Sequence, residues 1–245
     1  MKFLILSFLL AVLNCQLSNG QQPNEKSPSA WDGKWTPATV ISDEAVKAYG
    51  IDSCFKSYPI SDAIFQRMQG KSYKKNCTVP RTTLRYLRVL HRNLEGKTQL
   101  GEIVCNQSIA NDLVDIFRKL YEANYKIERI VLIDEYNADD ERSMANNNTS
   151  CFNFRVVSGT TKLSKHAQGL AIDINPLYNP YVHLNNGKVE PANAKPYATN
   201  RTNGRKDIPV PVINTSDLCY RLFIQHGFRW GGAWRTVKDY QHFEK

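Results

Sequence analysis

Two short segments hold residue types that bind metals and move protons. Ser164-Lys-His166-Ala-Gln-Gly169-Leu-Ala171-Ile-Asp173 offers an imidazole and a carboxylate, and Asp239-Tyr-Gln-His242-Phe-Glu244 adds a second imidazole and two more carboxylates. Two nitrogen donors and one oxygen donor form a set that a catalytic zinc accepts while keeping a position open for water. His166, Asp173 and His242 are therefore the candidate metal ligands and Zn2+ the expected cofactor, although the same set accepts other divalent ions. Asp239, three residues before His242, is the candidate general base, because a carboxylate at that spacing can reach a water beside the metal. Two of the five histidines fall in these segments; His91 and His183 lack such company, and His226 reads as structural. Neither an H-E-x-x-H run nor a cysteine pair with zinc-finger spacing is present.

These segments resemble the motifs of the D-alanyl-D-alanine carboxypeptidase and L-alanyl-D-glutamate endopeptidase family of zinc peptidases, which trim peptidoglycan stem peptides. The likeness is densest over Cys151 to Asn175 and Gly227 to Glu244. The run Gly227-Phe-Arg-Trp230-Gly-Gly-Ala233-Trp234 is closer to the endopeptidase branch, whose base is an Asp where the dipeptidases use Glu. Ala233 departs from the pattern, which calls for an acidic residue there. The resemblance implies that Arg155 stabilises the oxyanion formed on the attacked carbonyl; Glu244, two residues after His242, is expected to hold a ligand from behind. Ser164 is expected to orient the first ligand or touch substrate, and Trp230 and Trp234 either to wall the cleft or to enter the core, as aromatic residues beside a strand more often do.

Positioning these groups requires strands and turns. Leu170 to Ile174 reads as a strand with Leu170, Ile172 and Ile174 on its apolar face and Ala171 and Asp173 on the other, aimed into a cleft. Arg85 to Arg92 and Thr98 to Cys105 read as a hairpin across Asn93-Leu-Glu-Gly-Lys97, and Ser108 as the cap of a helix carrying Ile109, Leu113, Ile116, Phe117 and Leu120. Ile127 to Ile133 and Phe152 to Val157 read as further strands around a polar loop at 135–150. The stretch from Asn175 to Asn214, with six prolines, is either a wall of the cleft or a surface excursion. Thr215 or Ser216 caps a helix that runs through Gln225. The fold class that follows is α+β: one small domain, a central antiparallel sheet carrying the metal site, and helices packed on one side.

Lys2, the apolar run Phe3 to Leu13 and the small residues up to Gly20 have the order of a signal peptide, with cleavage near Gly20. Cys15 is an alternative lipid-anchor site, although Asn14 precedes it where a small residue is usual. The expected organisation is a signal peptide at 1–20, a flexible lead-in at 21–40 and a zinc peptidase domain at 41–245, its catalytic motifs at 151–245. The expected location is periplasmic, envelope-associated or extracellular, without a transmembrane span. Thirty-two basic against 23 acidic residues give a formal charge of +9, which suits either an anionic wall polymer or plain solubility. Export and the scatter of the positive charges disfavour nucleic acid, and a monomer is expected. In an oxidising compartment the cysteines after Cys15 suggest the bridges Cys54–Cys77 and Cys105–Cys151, with Cys219 left as a buried thiol. The sequons at Asn76, Asn106, Asn147, Asn148, Asn200 and Asn214 matter only where the secretory pathway glycosylates.

The reading that follows is an exported zinc metallopeptidase hydrolysing stem-peptide amides, of the L-alanyl-D-glutamate endopeptidase type. The alternatives are a D-alanyl-D-alanine carboxypeptidase, and a zinc-bearing wall-binding or signalling module without turnover.

Overall fold

The structure, a computed structural model, describes residues 31–157, 160–201 and 205–245. The signal segment, Cys15 and the first part of the lead-in lie outside the described residues. No helix among the described residues is long and apolar enough to cross a membrane.

The largest sheet is built from β1 (Val40–Ile41), β2 (Lys56–Pro59), β3 (Leu84–Arg92) and β4 (Thr98–Asn106), in the order β1-β4-β3-β2. β3 and β4 form the expected hairpin over nine residue pairs, from Leu84 opposite Asn106 to Arg92 opposite Thr98. Its turn is closed by Asn93, whose Oδ1 accepts from the backbone N–H groups of Glu95 and Lys97. Strand alternation sends Leu87, Val89, Ile103 and Cys105 into one core, and Leu84, Tyr86 and Val104 into another.

The short helices α1 (Asp43–Tyr49), α2 (Ile51–Cys54) and α3 (Asp62–Met68) precede β3. α4 (Gln107–Glu122) follows β4 directly. It buries Ile109, Leu113, Ile116, Phe117 and Leu120, the helical-period residues. Its cap is Asn106, whose side chain accepts from the Ser108 N–H, two residues before the expected cap. The opposite sheet face is covered by Met68 of α3 with Leu132, Phe152 and Phe154, so helices lie on both sides.

The α+β class holds, but the strands divide into three antiparallel sheets. The ligand strands do not join the largest sheet. β5 (Ala171–Asp173), β8 (Arg229–Trp230) and β10 (His242–Glu244) form a sheet of their own in the order β5-β10-β8. β6 (Tyr181–His183), β7 (Val189–Glu190) and β9 (Val237–Asp239) form the third, in the order β7-β6-β9. The segment 127–132 belongs to no sheet, and Ile133 already starts a 3-10 turn that runs to Tyr136. The segment meets β4 through the Glu102 N–H to the Ile130 carbonyl. The polar loop contains a helix, α5 (Asp140–Ala145), capped by Asp139. Phe152 to Val157 likewise makes only an isolated bridge, Val156 to Leu163. The last helix, α6 (Leu218–Gln225), is capped by Asp217 and not by Thr215 or Ser216.

Arg201 ties parts of the Asn175–Asn214 connection together. Arg201 donates to the carbonyls of Tyr178 and Tyr197 and to Asn179 Oδ1, and lies 3.9 Å from the Tyr240 ring centroid. A guanidinium matches this task because its fork satisfies several carbonyls at once while its face stacks on an aromatic ring.

Two further expectations need correction. Trp31 and Trp35 do not belong to a loose lead-in: both pack on the core, and the Trp35 indole N–H donates to the Gly101 carbonyl at 3.0 Å. The bridges Cys54–Cys77 and Cys105–Cys151 are not formed, and the five described cysteines are free. Cys54 sits in the α4 core and Cys77 against the core on the other side of the sheet, so that pair is kept apart. Cys219 is fully buried. The sequons at Asn147 and Asn148 are buried, and their amides are hydrogen-bonded within the protein.

Candidate metal centre

The register of β5 against β10 places two ligands. His242 is opposite Asp173, and Phe243 is opposite Ile172. Directly opposed residues of antiparallel strands project to the same face, so one pair faces the cavity while Phe243 and Ile172 enter the core, both fully buried. The alternation in Leu170–Ile174 thus aims Asp173 as its sequence pattern implies.

His166 arrives on a short 3-10 turn, His166–Gln168, that ends in Gly169 at φ +67. A Cβ there would lie 2.7 Å from the backbone nitrogen of Asn106. That nitrogen instead donates to the Gly169 carbonyl at 2.9 Å, docking the ligand turn where β4 becomes α4. The Ser164 Oγ accepts from the His166 N–H at 3.1 Å, so this serine, buried beside the cavity, holds the backbone of the candidate ligand His166. His166 Nδ1 lies 2.6 Å from the Cys151 carbonyl. A carbonyl only accepts, so Nδ1 carries the proton and Nε2 presents its lone pair.

The donor atoms converge. His166 Nε2 is 3.2 Å from Asp173 Oδ2 and 3.2 Å from His242 Nδ1, and His242 Nδ1 is 3.0 Å from Asp173 Oδ1. Two imidazole nitrogens and a carboxylate facing one point in a buried pocket call for a positive charge between them. Burial alone would raise the Asp173 carboxyl, but His166 and His242 outweigh it and hold it far below the usual range. Burial likewise opposes a charged His242. Its contacts with Asp173 and Glu244 prevail and raise its pKa to about 10. The three residues fit a divalent ion in number, type and convergence. Behind them His242 Nε2 is 3.4 Å from Glu244 Oε2, and Glu244 is held by Arg229 at 2.8 Å.

Asp239 ends β9, with Oδ2 4.0 Å from His242 Nδ1 and Oδ1 buried without a partner. Burial, reinforced by the charge of Asp173, pushes its pKa up to about 7 against the pull of the two histidines. Arg155 lines the cavity and is ion-paired with Asp140 at the start of α5. Trp230 does not reach the cavity. Its indole is buried in the core and donates to the Tyr240 carbonyl at 2.9 Å, whereas Trp234 lies at the cavity with its ring 5.3 Å from that of His242.

The cavity above these residues has a volume of about 660 Å³. Its far side is the β6–β7 hairpin, which contributes Tyr181, His183 and Glu190. Sequence reasoning missed these three. The only available signal was the alternation Tyr181-Val-His183, which cannot show what the strand faces.

Residues 158–245 match the model of a family described as D-alanyl-D-alanine carboxypeptidase. The match takes in all three converging donors and Asp239, and leaves Arg155 and the large sheet outside it. No curated protein and no solved structure matches the chain. The family resemblance of the two motifs is thereby borne out: the segment that builds this candidate metal centre is similar to the D-alanyl-D-alanine carboxypeptidase family.

Proposed function

We propose that this protein is an exported zinc peptidase that hydrolyses amide bonds in peptidoglycan stem peptides, acting as an L-alanyl-D-glutamate-type endopeptidase. One observation carries the reading: beside three donors that converge on a single point stands a buried carboxylate, Asp239, with one oxygen unpartnered. A binding module has no use for that oxygen, whereas a hydrolase needs it.

Zinc held by His166 Nε2, Asp173 and His242 Nδ1 would supply Lewis acidity to the scissile carbonyl and lower the pKa of water. Asp239 Oδ1 takes a proton from the attacking water and returns it to the leaving amine nitrogen, for which a pKa close to the working pH is suited. Arg155 provides positive charge at the cavity wall against the developing oxyanion, weakened by its pairing with Asp140. Glu244 and Ser164 keep the ligands oriented.

The carboxypeptidase reading has its own support. Lys162 and Lys165 line the cavity, and Lys165 Nζ donates to the main-chain oxygen of Lys245 at 3.1 Å. Such cations suit a terminal carboxylate. Digestion of purified peptidoglycan by the zinc-loaded protein, with fragments identified by mass spectrometry, decides the matter. New N-terminal D-glutamyl peptides establish the endopeptidase. Loss of single D-alanine residues establishes the carboxypeptidase, and no release at full zinc occupancy leaves a binding module.

A further inference from the structure

We infer that Tyr181 is a catalytic residue: its phenol O–H donates a hydrogen bond to the oxygen of the attacked carbonyl as negative charge develops there. The inference rests on the peptidase reading above and adds a group from outside both sequence motifs.

Three observations lead to it. First, β6 and β9 are antiparallel neighbours in which Tyr181 stands directly opposite Asp239. Opposed residues share a face, with Cβ atoms about 5 Å apart, so the phenol and the proposed base emerge side by side. Both line the cavity with His166 and His242. Second, no hydrogen bond engages the Tyr181 hydroxyl among the described residues, although its ring is fixed against His183 at 4.4 Å between centroids. A positioned ring with a free donor, beside a carboxylate that accepts a proton, is arranged for an acceptor that arrives with the substrate. Third, Arg155 is ion-paired with Asp140, which weakens its charge towards an oxyanion and leaves room for a second donor.

The phenol is also a neutral donor throughout the working range. Burial, with the charges of Asp239 and Glu190, shifts its ionisation upward. In the step proposed, the water oxygen bonds to the carbonyl carbon and the carbonyl π pair moves onto oxygen, while Asp239 holds the water proton. Collapse of the tetrahedral carbon breaks the C–N bond as that proton passes to nitrogen. Tyr181 keeps its own proton throughout, so its effect is electrostatic.

The test uses the full zinc-loaded protein and Tyr181→Phe, which keeps the ring and its contact with His183. Removing one oxyanion donor costs about 10²-fold in kcat. Tyr181→Phe is therefore expected to lose about that factor with KM within twofold, and with zinc content and melting temperature unchanged. Calorimetric binding of phosphinate analogues of L-Ala-D-Glu and D-Ala-D-Ala, which place an anionic oxygen where the oxyanion forms, is expected to weaken in parallel. A kcat within twofold of the parent, or a phosphinate affinity that does not change, overturns the assignment. A parent protein that cleaves nothing but binds a phosphinate equally with and without the hydroxyl overturns it too. If the parent neither cleaves stem peptides nor binds either phosphinate, the peptidase reading fails first and takes this role with it.

Discussion

Gly231 packs against Asp239 so tightly that a Cβ on the glycine would lie 2.8 Å from the aspartate Cβ and 2.8 Å from its carbonyl oxygen. The same Cβ would come within 3.2 Å of the His242 Cβ. The Gly231–Ala233 turn therefore sets the distance between the proposed base and a ligand. Gly231→Ala is expected to displace both, and a misplacement of about 1 Å can cost about 10²-fold in rate. A kcat/KM within threefold of the parent would show that the strand gives way without consequence.

Asp239→Asn keeps the shape of the side chain and removes its basicity. Loss of a general base costs about 10² to 10⁴ in kcat. Because Asp239 lies outside the converging donor set, the variant is expected to bind zinc at the same stoichiometry, which atomic absorption measures. A variant that turned over normally would remove Asp239 from the mechanism.

Chelation is expected to destabilise the protein. An ion that binds only the folded state stabilises it by about 2.7 kcal/mol at a free concentration one hundred times its Kd. Melting curves should therefore shift upward with added zinc in the parent and remain flat in His242→Ala. An identical response in both would place the metal elsewhere.

His91 predicts a pH dependence separate from catalysis. It is buried, with Nδ1 donating to the Ile127 carbonyl, and burial is the main cause that lowers its pKa to about 4. The unfolded chain protonates near the ordinary value of about 6.5. Between those pH values the unfolded state takes up a proton that the folded state refuses, so stability falls as pH drops through this window. The loss from this group is on the order of 3 kcal/mol by pH 4, and none arises above about pH 7. Urea titrations at pH 4.5 and pH 7 should show this difference, and His91→Gln, which keeps a donor towards Ile127, should reduce it.

Arg155 and Asp140 form a partly exposed ion pair at the cavity wall. Removing either alone leaves the other charge uncompensated, so the effects of Arg155→Ala and Asp140→Ala on kcat/KM are expected not to add in the double variant. Additive effects would mean that Asp140 does not position the guanidinium.

The sequence alone determined the donors and the chemistry they imply. His166, Asp173 and His242 were legible because ligand type and spacing belong to the chain itself, and the aim of Asp173 because alternation in Leu170–Ile174 is a local property. The β3–β4 hairpin and α4 were legible for the same reason: turn chemistry and apolar period act over a few residues. Boundaries were less so, since Asn106, Asp217 and Ser108 all offer a capping oxygen, and which one is used depends on packing.

Tertiary structure decided the rest. The division into three sheets depends on which strand edges meet, and two- and three-residue strands such as β8 and β9 carry too little pattern to announce a partner. Cys54 and Cys77 stay apart because they lie on opposite faces of the large sheet, which spacing does not encode. Trp230 entered the core and Trp234 reached the cavity, separated by the 3-10 turn Gly231–Ala233. Tyr181, His183 and Glu190 came to the site only through the pairing of β6 with β9, across more than fifty residues. A strand's composition shows that one of its faces is polar. Only the pairing shows what that face looks at.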